Sequence, residues 1–268
     1  MTGARTLYSN AETIINKEFN LPDLPETSIS TKTISSSFCV TGRLDAEYYQ
    51  PKYDVLYSAL KKLNTLKLGG ENGIVSFLRS IEPGSDAYCE EGIPFVRVSD
   101  IGKFGISLPE IKLSQDVVDN VESLFPKKDT ILFSKDGSVG IAYKMEDDAA
   151  VITSSALLHL KVKNPEVVLP DYLTLVLNSS VVQLQAERDA NGAIIQHWKP
   201  SEIADVIIPI LPIAKQEEIA KMVQDSFTLR HNAELLLEHA KRAVEIAIEQ
   251  GEDTARAWLE DKLSQLEA

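Results

Sequence analysis

The amino-acid sequence predicts an α+β (mixed α/β) chain, in which a twisted, mainly β domain is followed by one long C-terminal α-helix. Three observations carry this. From residue 66 to 212, short apolar runs alternate with turn signals such as Pro83-Gly84, Asp136-Gly137 and Asn191-Gly192, the punctuation of strands and tight turns. One helical pattern interrupts the strands, with Leu173, Val176, Leu177, Val181 and Leu184 on one face. From Ile213 to Gln250 no Gly or Pro occurs, so nothing in that run stops a helix.

The elements follow in order. Asn10 to Phe19 reads as a short amphipathic helix ended by Pro22 and Pro25. Ser28 to Cys39 alternates polar and β-branched residues, which predicts an extended segment. Asp45 to Leu63 reads as a helix, with Asp45 placed to cap it, Tyr49, Tyr53, Leu56, Leu60 and Leu63 at helical spacing, and Pro51 in its first turns. Strands are expected at Ile93–Val98, Thr130–Phe133, Gly140–Tyr143, Ala156–Val162 and Val206–Ile210. Leu169 to Glu187 is a single expected helix with Pro170 in its first turn. Trp198 is assigned to the core rather than to a stacking platform.

The run 213–250 follows Pro212 and would be about 55 Å long at 1.5 Å rise per residue. A heptad seam fits it: Ile219, Met222, Ser226, Leu229, Ala233, Leu236, Ala240, Ala243 and Ala247. Small residues on such a seam let a partner helix approach closely. The seam therefore predicts an antiparallel coiled coil with another chain, and hence a homodimer; the competing reading folds the helix back on its own domain. Thr254 to Leu266 is a final short helix that packs through Ala257, Trp258 and Leu263. The expected division is residues 1–212 for the β-rich domain with its lead-in, and 213–268 for the spacer and dimerisation helix.

Composition excludes several classes. Two cysteines, Cys39 and Cys89, form no CxxC and stand near no His pair, which rules out a disulfide framework and a cysteine zinc site. Met1 to Asn10 has no apolar core, and the most apolar stretch, Val206 to Ile213, holds two prolines and is too short to span a bilayer. A soluble cytoplasmic protein without membrane contact is expected. His159, His197, His231 and His239 lack ligand spacing, so no metal is expected. No Gly-rich cofactor loop or nucleophile set occurs, so neither a cofactor nor catalysis by the chain itself is expected. The net charge of −13 counts against nucleic-acid binding, because phosphate contacts need Lys and Arg. One spacing favours an enzyme: Asp100, Glu110 and Lys112 make D-x9-E-x-K, a set that in Mg²⁺-dependent nucleases holds metal and orients water. Ser107-Leu108-Pro109 breaks the strand such a site needs. An acidic coiled-coil protein that never touches DNA is the other alternative.

Four motifs, in order, resemble one family. Arg43 to Tyr53 is similar to a lead-in segment, Ile93 to Ile101 to an "iPfirvsDi" segment, and Asp129 to Gly140 to a "gDil.sr.GsiG" hairpin. Ile203, Val206 to Pro212, Gln216 and Ile219 are similar to an "i..i.iplPpl.eQ..I" junction. All four resemble the specificity (S) subunits of type I restriction–modification systems, over roughly residues 43–250. The resemblance implies a target-recognition domain for one half of a split double-stranded DNA site, a spacer helix, and methyltransferase (M) and restriction (R) subunits as partners. Full-length members carry two such units, and this sequence shows each motif once. The resemblance therefore implies a half-subunit that dimerises onto a palindromic split site.

Base-reading chemistry narrows the candidates, since Arg suits guanine and Asn or Gln suits adenine. Arg97 ends a strand in the second motif and either reads a base or pairs with Asp100. Ser134, Lys135, Gly137 and Ser138 form a polar hairpin tip, with Lys135 and the hydroxyls suited to phosphates or simply solvated. Asn191, Gly192, Gln196, His197 and Lys199 form a loop after the helix, resembling the family's "G..iq.h" loop. There Gln196 faces a base, or Gln196 and His197 are buried on backbone partners.

Overall fold

A computed structural model describes residues 2–25, 29–117, 119–192 and 194–267. The chain divides into two compact units, Ile14–Glu218 and Met1–Thr13 with Ile219–Ala268. The first turns of the N-terminal helix thus group with the long C-terminal helix. In chain order the elements are α1 (Thr2–Phe19), α2 (Phe38–Thr41), α3 (Pro51–Leu60), β1 (Thr65–Lys67), β2 (Val75–Arg79), β3 (Tyr88–Cys89), β4 (Ile93–Val96), β5 (Ile101–Gly102), β6 (Gly105–Ile106), β7 (Lys112–Leu113), β8 (Ile131–Ser134), β9 (Ala142–Lys144), β10 (Ile152–Thr153), β11 (Leu157–Val162), α4 (Pro170–Leu177), α5 (Ser180–Asp189), α6 (Pro200–Ala204), β12 (Ile207–Pro209), α7 (Ile213–Gln250) and α8 (Glu252–Glu267). No helix among the described residues is long and apolar enough to cross a membrane.

The larger unit is mixed α/β, as the sequence predicts. Its main sheet is antiparallel, in the order β2-β11-β8-β9. Leu157, Leu158 and Leu160 of β11 are fully buried, and β11 pairs Leu160 with Phe77 on one side and with Ile131 on the other. A second sheet, β10-β4-β7-β3, has β10 parallel to β4 and its other pairs antiparallel. Val96, Ile101, Leu132, Met145 and Leu157 form one apolar cluster that joins the two sheets. Trp198 is buried with its ring 5.8 Å from Phe133, so it is core, as expected.

Three side-chain amides, buried at Gln185 and Gln216 and half-buried at Asn178, tie the helices to backbone of neighbouring segments. The expected helix Leu169–Glu187 is two helices, broken at Asn178 and Ser179. The Asn178 side chain accepts from Ala142 N–H at 3.1 Å and donates to Ala142 O at 2.8 Å, as a neighbouring strand would. Gln185 does the same for Ile207, at 2.9 and 3.0 Å. Gln216, the residue quoted in the junction motif, accepts from Leu169 N–H and donates to Val167 O and Leu211 O. A buried backbone group without a partner costs about 1–3 kcal/mol, which explains why long amides occupy these positions.

The lead-in departs from the sequence expectation. The first helix begins at Thr2, not Asn10. The expected extended segment Ser28–Cys39, whose first residue lies outside the described residues, instead contains a 3₁₀ turn at Ile34–Ser36 and the start of α2. Thr33 Oγ1 accepts from Ser36 N–H at 3.2 Å; hydroxyls so placed compete with extended pairing. The expected helix Asp45–Leu63 splits into a 3₁₀ turn, Ala46–Tyr49, and α3. Pro51 forces Gln50 into extended backbone and so must begin the helix. Asp45 makes no cap bond and instead pairs with Arg43 at 2.9 Å.

The smaller unit is helical. Ala4, Tyr8 and Ala11 of α1 are buried, as are Ile219, Ala220, Val223 and Ser226 of α7, and Ser226 Oγ donates to Ala4 O at 2.7 Å. Gly251, at φ 93°, ends α7 in the left-handed conformation that favours glycine. The chain then returns as α8, placing Trp258 edge-on to His239 at 5.7 Å.

Candidate nucleic-acid interface

Two loops of the larger unit meet edge to edge. The β8–β9 hairpin turns at Gly137, whose φ of 72° suits glycine. Ser134 N–H donates to Ile141 O at 2.9 Å, and Gly140 N–H to Ser134 O at 2.9 Å. The loop after α5 closes on itself through Asn191 N–H to His197 O at 2.9 Å and His197 N–H to Asn191 O at 2.6 Å. Gly137 N–H donates to Gln196 O at 2.8 Å and Trp198 N–H to Lys135 O at 2.7 Å, which joins the two loops in an antiparallel bridge between Asp136 and His197. Side chains repeat the link. Asp136 Oδ1 meets His197 Nδ1 at 2.9 Å, and Asp136 Oδ2 takes the Lys135 ammonium.

The sequence-derived candidates fall into three groups. Ser138, Asn191, Gln196, His197 and Lys199 are exposed on this joined surface, so Gln196 and His197 are not buried on backbone partners. Ile194 and Ile195 beside them are exposed as well. Lys135 is half-buried, and its ammonium is already held by Asp136. Ser134 is a different matter. It is fully buried, with Oγ donating to Ser138 O at 2.6 Å and accepting from Ile141 N–H at 2.8 Å. Its hydroxyl is spent inside the hairpin, so Ser134 is a structural residue and not a surface contact.

Arg97 stands apart, at the end of β4. Its backbone N–H donates to Asp100 Oδ2 at 2.8 Å, and its Nε lies 3.6 Å from the same oxygen, the local ion pair foreseen as the alternative. Asp100 also accepts from Ser99 Oγ at 3.1 Å, so its carboxylate serves a 3₁₀ turn. Among the described residues no three His, Cys, Asp or Glu side chains are grouped to hold a metal ion. Cys39 and Cys89 are free thiols.

Beneath the loop lies a cluster that sequence reading missed. Two guanidiniums lie over the Tyr48 ring, Arg43 at 4.3 Å and Arg188 at 3.9 Å from its centre. Arg188 also donates to Tyr48 and Tyr57 hydroxyls at 2.6 and 3.2 Å, and Arg43 donates to Asp189 O at 3.1 Å. Burial pushes the Asp189 carboxyl up to about 6, against the opposing pull of Arg188. The Arg43–Tyr53 motif thus clamps the end of α5, from which the loop departs. Asp136 was also missed as a site residue; its signal is its place in the hairpin tip, between Lys135 and Gly137.

The helix seam is unevenly used within the chain. Ile219, Ser226 and Ala243 are buried, while Met222, Ala233 and Ala247 are half-buried. Leu229, Leu236 and Ala240, in the middle, are exposed, as are Leu237, Val244 and Ile248 nearby.

A mixed α/β domain continued by a long helix is the build of the specificity subunits of type I restriction–modification systems. Over 77% of its length the chain superposes on the S subunit from M. genitalium, covering 50% of that chain at 18% identity with a TM-score of 0.50. The HsdS subunit from Thermoanaerobacter tengcongensis matches 80% of this chain and 50% of its own at 15% identity and a TM-score of 0.43. The chain belongs to the type I restriction modification DNA specificity domain family, whose pattern matches residues 82–236. The Escherichia coli type I restriction enzyme EcoBI specificity subunit is 23% identical over 163 residues, 60% of this chain and 33% of that subunit. The chain therefore spans about a third of that relative and half of these solved subunits.

Proposed function

We propose that this chain is the sequence-reading, non-catalytic part of a cytoplasmic type I restriction–modification complex. It binds one half of a split site in double-stranded DNA and directs a methyltransferase subunit, and through it a restriction subunit, to that site. The observation that carries this reading is the joining of the β8–β9 tip and the 190–199 loop into one polar surface. Ser138 and Lys199 serve the phosphates, which position the domain, and Lys135 joins them by exchanging Asp136 for a phosphate; Asn191, Gln196, His197 and Arg97 serve base edges. Arg97 reads a base by exchanging Asp100 for it. Division at residue 212 separates the reading domain from the spacer helix. Two copies pair antiparallel through the exposed middle of α7, around Leu229, Ala233, Leu236 and Ala240, and the symmetric pair reads a palindromic split site.

A net charge of −13 leaves little general attraction for DNA, so discrimination falls to base contacts. The test is methylation of a random-site library by the chain with its methyltransferase subunit. Lys135→Ala is expected to weaken all sequences alike and lower the salt slope by about one. Gln196→Ala is expected to cost about 1–3 kcal/mol at one position. Failure of the complex to select any sequence, or Mg²⁺-dependent cutting by the chain alone that vanishes in Lys112→Ala, overturns the proposal.

A further inference from the structure

The Asp136–His197 contact settles more than the packing of two loops. A neutral imidazole has one N–H donor and one lone-pair acceptor, and the bond made by one nitrogen decides the role of the other. An ionised carboxylate only accepts. Asp136 Oδ1 lies 2.9 Å from His197 Nδ1, and the Lys135 ammonium occupies Oδ2. With the carboxylate accepting, the proton of neutral His197 belongs on Nδ1. The His197 side chain is 62% exposed, so Nε2, a lone-pair acceptor in this tautomer, is the nitrogen left for a ligand. The backbone bridge between Asp136 and His197, with the flanking bonds of Gly137 and Trp198, fixes the two residues opposite each other.

We propose that His197 is a specificity-determining residue and Asp136 its positioning residue: Asp136 holds His197 as the Nδ1–H tautomer, so that Nε2 accepts from the exocyclic amino group of an adenine or cytosine. This rests on the DNA-reading function proposed above. In the major groove adenine N6 and cytosine N4 are donors, whereas thymine O4 and guanine O6 and N7 are acceptors. An acceptor at Nε2 therefore favours adenine over thymine and cytosine over guanine on the strand it faces. A histidine with the opposite tautomer has the reverse preference, so one carboxylate outside the base contact sets its sense.

Two measurements on the full chain test this and separate it from the parent reading. The first needs no DNA: ¹⁵N spectra of histidine-labelled protein at about pH 8, where ordinary imidazole is neutral, with His197 assigned from its loss in His197→Gln. A pyrrole-type Nδ1 and a pyridine-type Nε2 are expected, with that bias lost in Asp136→Ala and kept in Asp136→Asn if its amide oxygen accepts in place of the carboxylate. An Nε2–H tautomer in the wild type overturns the inference. The second is site selection with the methyltransferase subunit. One position of each half-site is expected to hold adenine or cytosine. His197→Ala and Asp136→Ala should both reduce that preference by about three- to tenfold, the range of one net hydrogen bond, and leave the other positions intact. Lys199→Ala should weaken all sites without moving it. Guanine or thymine at the position that His197→Ala relaxes, or a His197→Ala consensus identical to the wild type, overturns the base-reading step even where the tautomer holds. Absence of any selected sequence overturns the DNA-reading function instead, while the spectra still decide the clamp.

Discussion

Replacing Ser134 by Ala separates a structural hydroxyl from a DNA contact. The Oγ atom donates to Ser138 O at 2.6 Å and accepts from Ile141 N–H at 2.8 Å, on a fully buried residue. Alanine removes both bonds and supplies no donor or acceptor in their place. Ser138 is exposed, so water can serve its carbonyl and that loss is about 1 kcal/mol. Ile141 is half-buried, so its N–H is less easily rehydrated and its loss is about 1–2 kcal/mol. The sum, about 2–3 kcal/mol, corresponds to a fall in melting temperature of about 5–10 °C for a unit of this size. Urea denaturation followed by circular dichroism measures the stability, and DNA titration against salt at a temperature where both proteins are folded measures the phosphate contacts. Stability should fall while the salt slope stays unchanged. The exposed Ser138, changed to Ala, should show the opposite pattern, an intact midpoint and weaker binding. A Ser134→Ala protein within about 0.5 kcal/mol of wild type, the range of ordinary surface changes, and with a lower salt slope would refute the hairpin assignment.

Further outcomes are expected. Burial lowers His159 to about 4, so its neutral form favours the folded state above about pH 6.5, and up to about 3 kcal/mol is lost as pH falls from there towards 4. Asp189, raised to about 6, acts in the opposite sense, gaining stability as pH falls from 6 to about 4. His159→Gln should therefore flatten the acid loss and Asp189→Asn should steepen it, as read from urea midpoints between pH 4 and 7. Ala233→Glu with Ala240→Glu should give monomers by light scattering at micromolar concentration without unfolding the chain, since neither residue is fully buried; a wild-type monomer would contradict the dimer. Four residues inserted near Glu234 lengthen α7 by about 6 Å and turn it by about 40°, so the methylated sites should keep their half-site sequences and gain about two base pairs of spacer. A two-residue insertion turns the helix by about 200° and should abolish recognition, whereas an unchanged spacer after four would show that α7 is not the ruler.

What the sequence by itself determined lies in properties that repeat over short distances. The uninterrupted run from Ile213 to Gln250 is one helix, because helix stops are local signals. The apolar run ending at Val162 is β11, an inner strand of the main sheet, and Trp198 is buried. Both follow from hydrophobicity and turn chemistry read over a few residues. The tips bearing Lys135 and Gln196 were visible as polar turns for the same reason. Tertiary structure decided the rest. Asn178 leaves its helix to bond Ala142, 36 residues away, and no periodicity in Leu169–Glu187 records that partner. Ser134 looked like a surface hydroxyl because the tip is polar, and only the closure of β8 on β9 consumed it. The seam of α7 was drawn from spacing alone, yet α1 covers Ser226 and leaves the middle open. Asp136 and His197 stand 61 residues apart and meet where the backbone bonds of Gly137 and Trp198 join the two loops. Local patterns set which segments are helix, strand or turn; which side chains face one another depends on where separate segments come to rest in space.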